Sequence, residues 1–201
     1  MRTVIAVASV VCLELASCSK HEDAPVKTGP APAVYKVLFQ TNKGPFVVEV
    51  HRDWAPLAAD RFYQLVQEKY FDDNRFFRVV PGFVAQFGLS GNPKLSQYWS
   101  LMTFADEPRK EHNDKGMLSF AQAGPNSRTS QVFINITDNS SNLDPQGFAP
   151  FGRVIQGMEN VSDIYSGYGD KPDYARIMRE GNTYLDDEFQ GLDIIKTARL
   201  Q

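Results

Sequence analysis

From Val34 onward the chain is cut into short runs of β-branched and aromatic residues, each closed off by Gly, Pro, Asn or Asp, and a sheet of many short strands is the fold that absorbs such a pattern. Tyr35 to Phe39 and Pro45 to Val50 flank Thr41-Asn42-Lys43-Gly44, whose asparagine and glycine accept the positive φ of a tight turn, so this stretch reads as a hairpin. Further strands are expected at Arg75 to Val80, Val84 to Phe87, Gly116 to Ala121, Gln131 to Ile136 and Phe151 to Ile155, with a closing strand near Asp193 to Ala198. Asp53 is placed to cap a helix that begins near Ala55-Pro56, in which Ala58, Phe62, Leu65 and Val66 form one apolar stripe as far as about Tyr70. A second helix is expected from Glu159 to Tyr165. Many strands with a helix near each end describe a helix-capped barrel, whose closure removes exposed strand edges.

Bulk properties narrow the function. With 201 residues, 42% of them hydrophobic, the chain supports one well-buried domain. Lys and Arg number 21 against 24 Asp and Glu, so no basic surplus points to nucleic acid. The only two cysteines, Cys12 and Cys18, precede the strand-rich part, which therefore holds neither a disulfide nor a thiolate metal site. His21, His51 and His112 are dispersed and lack the spacing of a zinc hydrolase. No cofactor or metal is expected.

Met1-Arg2-Thr3 followed by the apolar run Val4 to Leu13 is too short for a permanent membrane helix and reads as a leader over residues 1–17. It ends in Leu15-Ala16-Ser17-Cys18, which resembles the bacterial lipobox, in which the cysteine thiol carries diacylglycerol. An ordinary secretory leader or a buried apolar strand is the alternative. Residues 18–33 are polar and proline-rich, a composition that suits a tether, and they leave 34–201 as the folded domain. Ser19 after the cysteine resembles the outer-membrane sorting pattern, so the expected location is a lipid anchor in the outer membrane facing the periplasm.

Phe76-Phe77-Arg78-Val79-Val80-Pro81-Gly82-Phe83-Val84-Ala85-Gln86 resembles the first signature of the cyclophilins. The run from Gly116 to Ile134, with Ala121-Gln122-Ala123-Gly124-Pro125-Asn126 and Ser130-Gln131-Val132-Phe133 inside it, resembles the second. Leu143-Asp144 and Phe148-Ala149-Pro150-Phe151-Gly152 resemble the third block, in the same order. The resemblance covers roughly Val34 to the C-terminus. It implies a closed eight-stranded antiparallel β-barrel capped by two α-helices and peptidyl-prolyl cis/trans isomerase activity toward proline-containing polypeptides; the sequence leaves the oligomeric state open, a monomer being the plainer expectation.

On that resemblance Arg78, Gln86 and Phe83 are the catalytic candidates, and Val84, Ala121, Gln122, Gln131, Phe133, Leu143 and Phe148 bind the peptide. Rotation about an X-Pro bond crosses a barrier of roughly 18–20 kcal/mol because the C–N bond loses conjugation. The ring nitrogen regains a lone pair at the twisted midpoint, and a fixed guanidinium aimed at it favours that state over either planar one. Arg78 is the candidate for this role, Gln86 for orienting it. Gln131 and Phe133, two apart on a strand, should share the cleft face, while Val132 and Ile134 point into the barrel, and Val84 and Gln86 should share a face by the same rule. His112 reads as a surface residue and His51 as structural.

Several positions depart from the family pattern. Phe77 stands where histidine is common, Val84 where methionine is common, and Phe87 and Leu89 where glycine and aspartate follow the glutamine, a change read as one of loop geometry. Asn142 takes the place of the tryptophan that grips cyclosporin in eukaryotic members, and Phe148 that of a rim histidine, so weak cyclosporin binding is expected. The stretch from Tyr165 to Leu185 is longer than in the simplest members, with no role legible. The competing readings are a peptide-binding module or holdase that turns over poorly, and a lipoprotein with an idle scaffold.

Overall fold

A computed structural model describes residues 29–201, and the leader, Cys18 and nearly all of the tether lie outside the described residues. The hairpin forms as β1 (Val34–Thr41) and β2 (Pro45–His51), with Gly44 at φ +123° in its turn. Helix α1 (Pro56–Gln67) buries Ala58, Ala59, Phe62, Leu65 and Val66, the expected stripe with Ala59 added. Its start differs from expectation. Ala55 is the capping residue and Asp53 makes no cap bond; instead the Glu107 carboxylate accepts from the backbone N–H of Leu57 at 2.6 Å and of Ala58 at 2.9 Å. A carboxylate brought in from a distant loop satisfies the same orphan donors that a local cap would.

The expected strand Arg75 to Val80 appears as β3 (Asn74–Arg75) and β4 (Arg78–Val80), followed by β5 (Val84–Phe87). After helix α2 (Pro93–Ser100) come β6 (Met117–Phe120) and β7 (Val132–Asn135). Then follow the single turn α3 (Ser140–Leu143), a 3-10 turn at Asp144–Gln146, and β8 (Gly152–Gln156). Three short helices, α4 (Met158–Ser162), α5 (Tyr174–Glu180) and α6 (Asn182–Glu188), precede β9 (Ile194–Leu200). The second helix is thus α4, shorter than expected. Beyond the two helices expected, the chain forms α2, α5 and α6, which bury few residues each and so carry weak periodicity.

All pairings are antiparallel, in the order β3-β9-β1-β2-β8-β6-β7-β5-β4. The two end strands of that order, β3 and β4, are consecutive in the chain and separated only by Phe76-Phe77, so the sheet closes through the backbone. Taken as one bent strand they make an eight-stranded barrel. Phe76 N–H still donates to Asp193 O at 3.0 Å, whereas Val79 N–H turns to Gly169 O at 3.1 Å. Phe76 and Val79 both face the core although they are three apart, so the two-residue alternation breaks once between them, and Arg78 emerges on the outer face.

The barrel is filled by Phe39, Phe46, Phe62, Phe71, Phe76, Phe87, Phe120 and Phe151, all fully buried. Ring pairs such as Phe39 and Phe46, stacked at 4.7 Å, and Phe62 and Phe151 at 5.0 Å pack within it. A separate cluster lies outside the sheet: Phe77, Leu89, Ile177, Tyr184, Leu185 and Leu192, with Tyr168, Met178 and Phe189 against it. This corrects the reading of two departures as loop geometry. Phe87 is a core residue of β5, and Leu89, like Phe77, is the apolar seat on which α5 and α6 rest.

Candidate functional site

Strands β4, β5 and β7 turn one face to the barrel and the other outward. Ala85, Phe87, Val132 and Ile134 point in, while Val84, Gln86 and Phe133 point out with Arg78, as the alternation requires. Arg78 is registered opposite Gln86, and Gln86 opposite Phe133. A groove of about 250 Å³ opens on this outer face, lined by Arg78, Phe83, Val84, Gln86, Ala121, Gln122, Phe133, Asn142, Leu143, Gln146 and Phe148. Val84, Phe133 and Leu143 form its buried floor; Phe83, Ala121 and Phe148 pack around them, with the Phe133 and Phe148 rings edge to face at 5.5 Å. The structure brings all the candidate catalytic and peptide-binding residues of the sequence together in this groove except Gln131, which lines the pocket beside it.

Polar groups stand along one wall. Arg78 Nη1 donates to Gln86 Oε1 at 3.2 Å, and Gln86 Nε2 donates to Gln131 Oε1 at 3.0 Å. The Arg78 guanidinium carbon lies 5.7 Å from the centre of the Phe83 ring. Among the described residues no carboxylate pairs with Arg78, so its orientation comes from a neutral amide and an aromatic edge of the cup. A half-buried cation held by neutral partners keeps its charge available to whatever enters the cup.

The sequence matches the family described as cyclophilin type peptidyl-prolyl cis-trans isomerase/CLD over residues 36–181. The chain belongs to the cyclophilin family. A peptidyl-prolyl cis-trans isomerase of Arabidopsis thaliana is 37% identical over 143 residues, which are 69% of this chain and 85% of the relative. A peptidyl-prolyl cis-trans isomerase of Acinetobacter baylyi is 31% identical over 132 residues, 64% of this chain and 70% of that one. In fold, a crystal structure of a Cryptosporidium parvum cyclophilin type isomerase superimposes with a TM-score of 0.62 at 24% identity, covering 84% of this chain and 98% of the other.

What holds the cyclophilin cup in shape was not legible from the motifs. Leu143 and Phe148 ride on the segment that includes the 3-10 turn, and four side chains from elsewhere fix it. The Asp144 carboxylate accepts from Asn113 N–H at 3.0 Å and Asn113 Nδ2 at 2.8 Å, lies 2.6 Å from His112 Nδ1, and pairs with Arg109 at 3.4 Å. Burial alone would raise that carboxyl, but the hydrogen bonds from Asn113 and His112 and the charge of Arg109 outweigh it and hold it below the ordinary carboxylate range. Asn113 Nδ2 also donates to Phe148 O at 2.9 Å. The buried Arg128 donates to Gly147 O at 2.7 Å and pairs with Asp106. His112 is thus more than a surface histidine, whereas His51 stacks on Trp54 at 4.1 Å, in keeping with a structural role. A lone Asn or Arg acting on a backbone carbonyl far along the chain leaves no local pattern, which is why Asn113 and Arg128 escaped the sequence reading.

A second pocket, of about 340 Å³, adjoins the groove and shares Gln86, Ala121 and Gln122 with it. Gln131, Ala123, Ser127 and Thr129 line it further, and Ser100 and Tyr174 close its outer side. Ala123, Ser127 and Thr129 lie within the second signature, whereas Ser100 and Tyr174 belong to no signature block.

Proposed function

We propose that this cyclophilin accelerates X-Pro rotation in exported polypeptides at a bacterial cell envelope, with Arg78 as the catalytic cation. The observation that carries the reading is the Arg78 guanidinium, unpaired by any described carboxylate and held by Gln86 at the mouth of an apolar cup. The proline ring enters the cup of Val84, Phe133 and Leu143, walled by Phe83 and Phe148, while the residue before it swings. As the amide twists, the ring nitrogen becomes a hydrogen-bond acceptor and the guanidinium donates to it. Each ~1.4 kcal/mol by which this contact is stronger in the twisted state than in the planar ones gives about tenfold in rate. Gln86 orients the cation through its oxygen. One of its two amide hydrogens goes to Gln131, and the other is free to meet the substrate carbonyl.

The envelope setting rests on the leader over residues 1–17 and the lipobox-like Cys18. The lipid on Cys18, the tether of 18–33 and an outer-membrane location facing the periplasm are part of the proposal, as is a monomeric state. A Cys18→Ser chain that leaves the membrane fraction and loses labelled fatty acid is the expected result; one that stays membrane-bound and labelled removes the anchor from the reading.

The catalytic part is tested by cis/trans exchange of a short X-Pro peptide followed by NMR, with the native chain in mild detergent, Arg78→Ala and Phe133→Ala. Expected is native acceleration that falls by roughly 10²–10³ in Arg78→Ala, the size seen when one preorganised donor is removed, with peptide binding retained. Phe133→Ala should instead lose binding. A native chain that binds peptide yet leaves exchange at its spontaneous rate is a binding module.

A further inference from the structure

A surface helix ordinarily turns charged side chains to the water, and α2 does not. Leu95 (44% exposed), Tyr98 (37%), Leu101 (79%) and Met102 (36%) lie on α2 or the two residues that follow it, at steps of three and four that keep them on one side. Ser96 and Trp99 are the residues that the helix buries. The helix is therefore apolar outward as well as inward. Lys94 is the only charged residue from Pro93 to Phe104.

The chain enters the fold beside this stripe. Ala31 is buried and its N–H donates to Asp60 Oδ1 at 2.9 Å, while Arg52 donates to the same carboxylate from Nε at 2.7 Å and Nη2 at 2.9 Å. Just ahead of it, Gly29 and Pro30 line a cleft of about 310 Å³ together with Leu57, Asp60, Arg61 and Phe104. Arg61 reaches from that cleft to α2: its guanidinium carbon lies 4.9 Å from the centre of the Trp99 ring and 5.2 Å from that of Phe104, and its Nη1 donates to Met102 O. One side chain thus spans the distance from the entry point of the chain to the end of the apolar stripe. Leu57, itself 44% exposed, adds apolar surface in the cleft.

We propose that the outer stripe of α2, formed by Leu95, Tyr98, Leu101 and Met102, is a membrane-contact face that seats on the phospholipid surface to which Cys18 ties the chain. The inference rests on the proposed lipid anchor in one respect, that it keeps a bilayer within reach. The eleven residues from Cys18 to Gly29 span at most roughly 40 Å when fully extended, so a face beside the entry point meets the bilayer at the high effective concentration of a short link. Leucine and methionine side chains bury at the acyl-chain boundary, and a tyrosine ring with its hydroxyl suits the headgroup level. Four partly exposed side chains fall below the about 800 Å² that each partner gives to a stable interface of standard size, which argues against a second copy, whereas a face already tethered to its partner needs little area. With a single lysine in the stretch the attraction is apolar and not ionic. Ser100 of the same helix lines the pocket that adjoins the groove, so seating α2 brings the groove to the membrane surface and puts X-Pro bonds of polypeptides at the bilayer within its reach.

The test uses the full chain reconstituted into vesicles of phosphatidylethanolamine and phosphatidylglycerol, with a photoreactive benzophenone amino acid in place of Leu101 or, as a control, of the exposed Lys196 on β9. Expected on illumination is a phospholipid adduct at 101 several-fold above that at 196, and unchanged in about 0.5 M salt, which screens ionic attraction. With the photoreactive group moved to 95, Leu101→Glu should lower the adduct about tenfold, because a carboxylate resists burial in lipid, while turnover on an Ala-Pro dipeptide stays at the native rate and shows that the fold is intact. Equal adducts at 101 and 196, an adduct lost in salt, or one that survives Leu101→Glu overturns the proposal. So does a crosslinked dimer through 101, because the stripe would then belong to a second copy. Fatty acid on Cys18 is read by mass in the same sample, which separates the two readings. An adduct at 101 without lipid on Cys18 removes the anchor and keeps the face, and lipid on Cys18 without an adduct keeps the anchor and removes the face.

Discussion

The two faces of β5 are held to different standards. Inward, Phe87 is fully buried with rings of Phe39, Phe71 and Phe76 within 5.7 Å, and any change of volume is felt by each of these neighbours. Outward, Val84 and Gln86 meet a groove whose partners are a few side chains and solvent. The inner face sets the shape of the barrel and the outer face carries the chemistry, so the second can vary while the first keeps the fold. The separation is sharpest at Arg78, set on the outer surface because the alternation slips once after Phe76.

The strongest way to break this contrast is Phe87→Ala. Removing a ring from the centre of the aromatic cluster should destabilise the domain by about 3–5 kcal/mol, seen as a large drop in urea midpoint, while the fraction that remains folded keeps its isomerase turnover. Arg78→Ala should do the reverse, leaving the midpoint nearly unchanged as turnover collapses. A Phe87→Ala chain of native stability would mean that the inner face is not the part that sets the fold.

A third region, the layer under α5 and α6, sharpens the comparison because it is core-like packing on the outside of the sheet. Phe77→His places the residue common in the family into a cluster made mostly of apolar side chains, and should cost about 1–3 kcal/mol. Hydrogen exchange should quicken across 174–188 while the barrel amides and turnover on an Ala-Pro dipeptide stay as they were. Uniform loss of protection across the barrel would show that the layer and the barrel fold as one unit.

How far the sequence could be read follows the same division. The strands and the α1 stripe were legible because burial on one side imposes a period, and the groove residues because three ordered blocks resemble a family. Short helices were not: α2 buries only Ser96 and Trp99, too little for a period to emerge. Phe77, Leu89 and Phe87 were visible as departures, but what they replaced a loop with could be seen only once α5, α6 and the barrel core stood against them. The cap of α1 by Glu107 and the hold of Asn113 and Arg128 on the cup loop depend on contacts between distant segments, which no local pattern reports.

The cup loop itself gives a smaller, pH-dependent effect. Asp144 has a folded-state carboxyl held below its unfolded value of about 3.9, so the folded chain binds that proton less readily than the unfolded chain. Its stabilising contribution is therefore fully present above the ordinary carboxylate range and is lost as pH falls through the lowered folded value. Asp144→Asn should be somewhat less stable at pH 7, and its thermal midpoint should fall less steeply than that of the native chain between pH 5 and pH 3. Parallel midpoint curves for the two chains would remove Asp144 as the group that ties the cup loop down.

The smallest expected effect lies at the groove rim, where outward positions are freest to vary. Asn142 lines the mouth of the groove and is occupied with Gln146, whose Nε2 donates to Asn142 O at 2.8 Å and to its Oδ1 at 3.0 Å. A short polar amide engaged with its neighbour offers a cyclosporin ring little of the apolar contact or the indole N–H that a tryptophan provides. Calorimetry should find weak binding to the native chain and tighter binding to Asn142→Trp, with X-Pro turnover the same in both because the cup and Arg78 are untouched. If the native chain already binds tightly, the apolar surface that holds the ligand must come from Phe148 and Phe83, and the rim would matter less than the wall it borders.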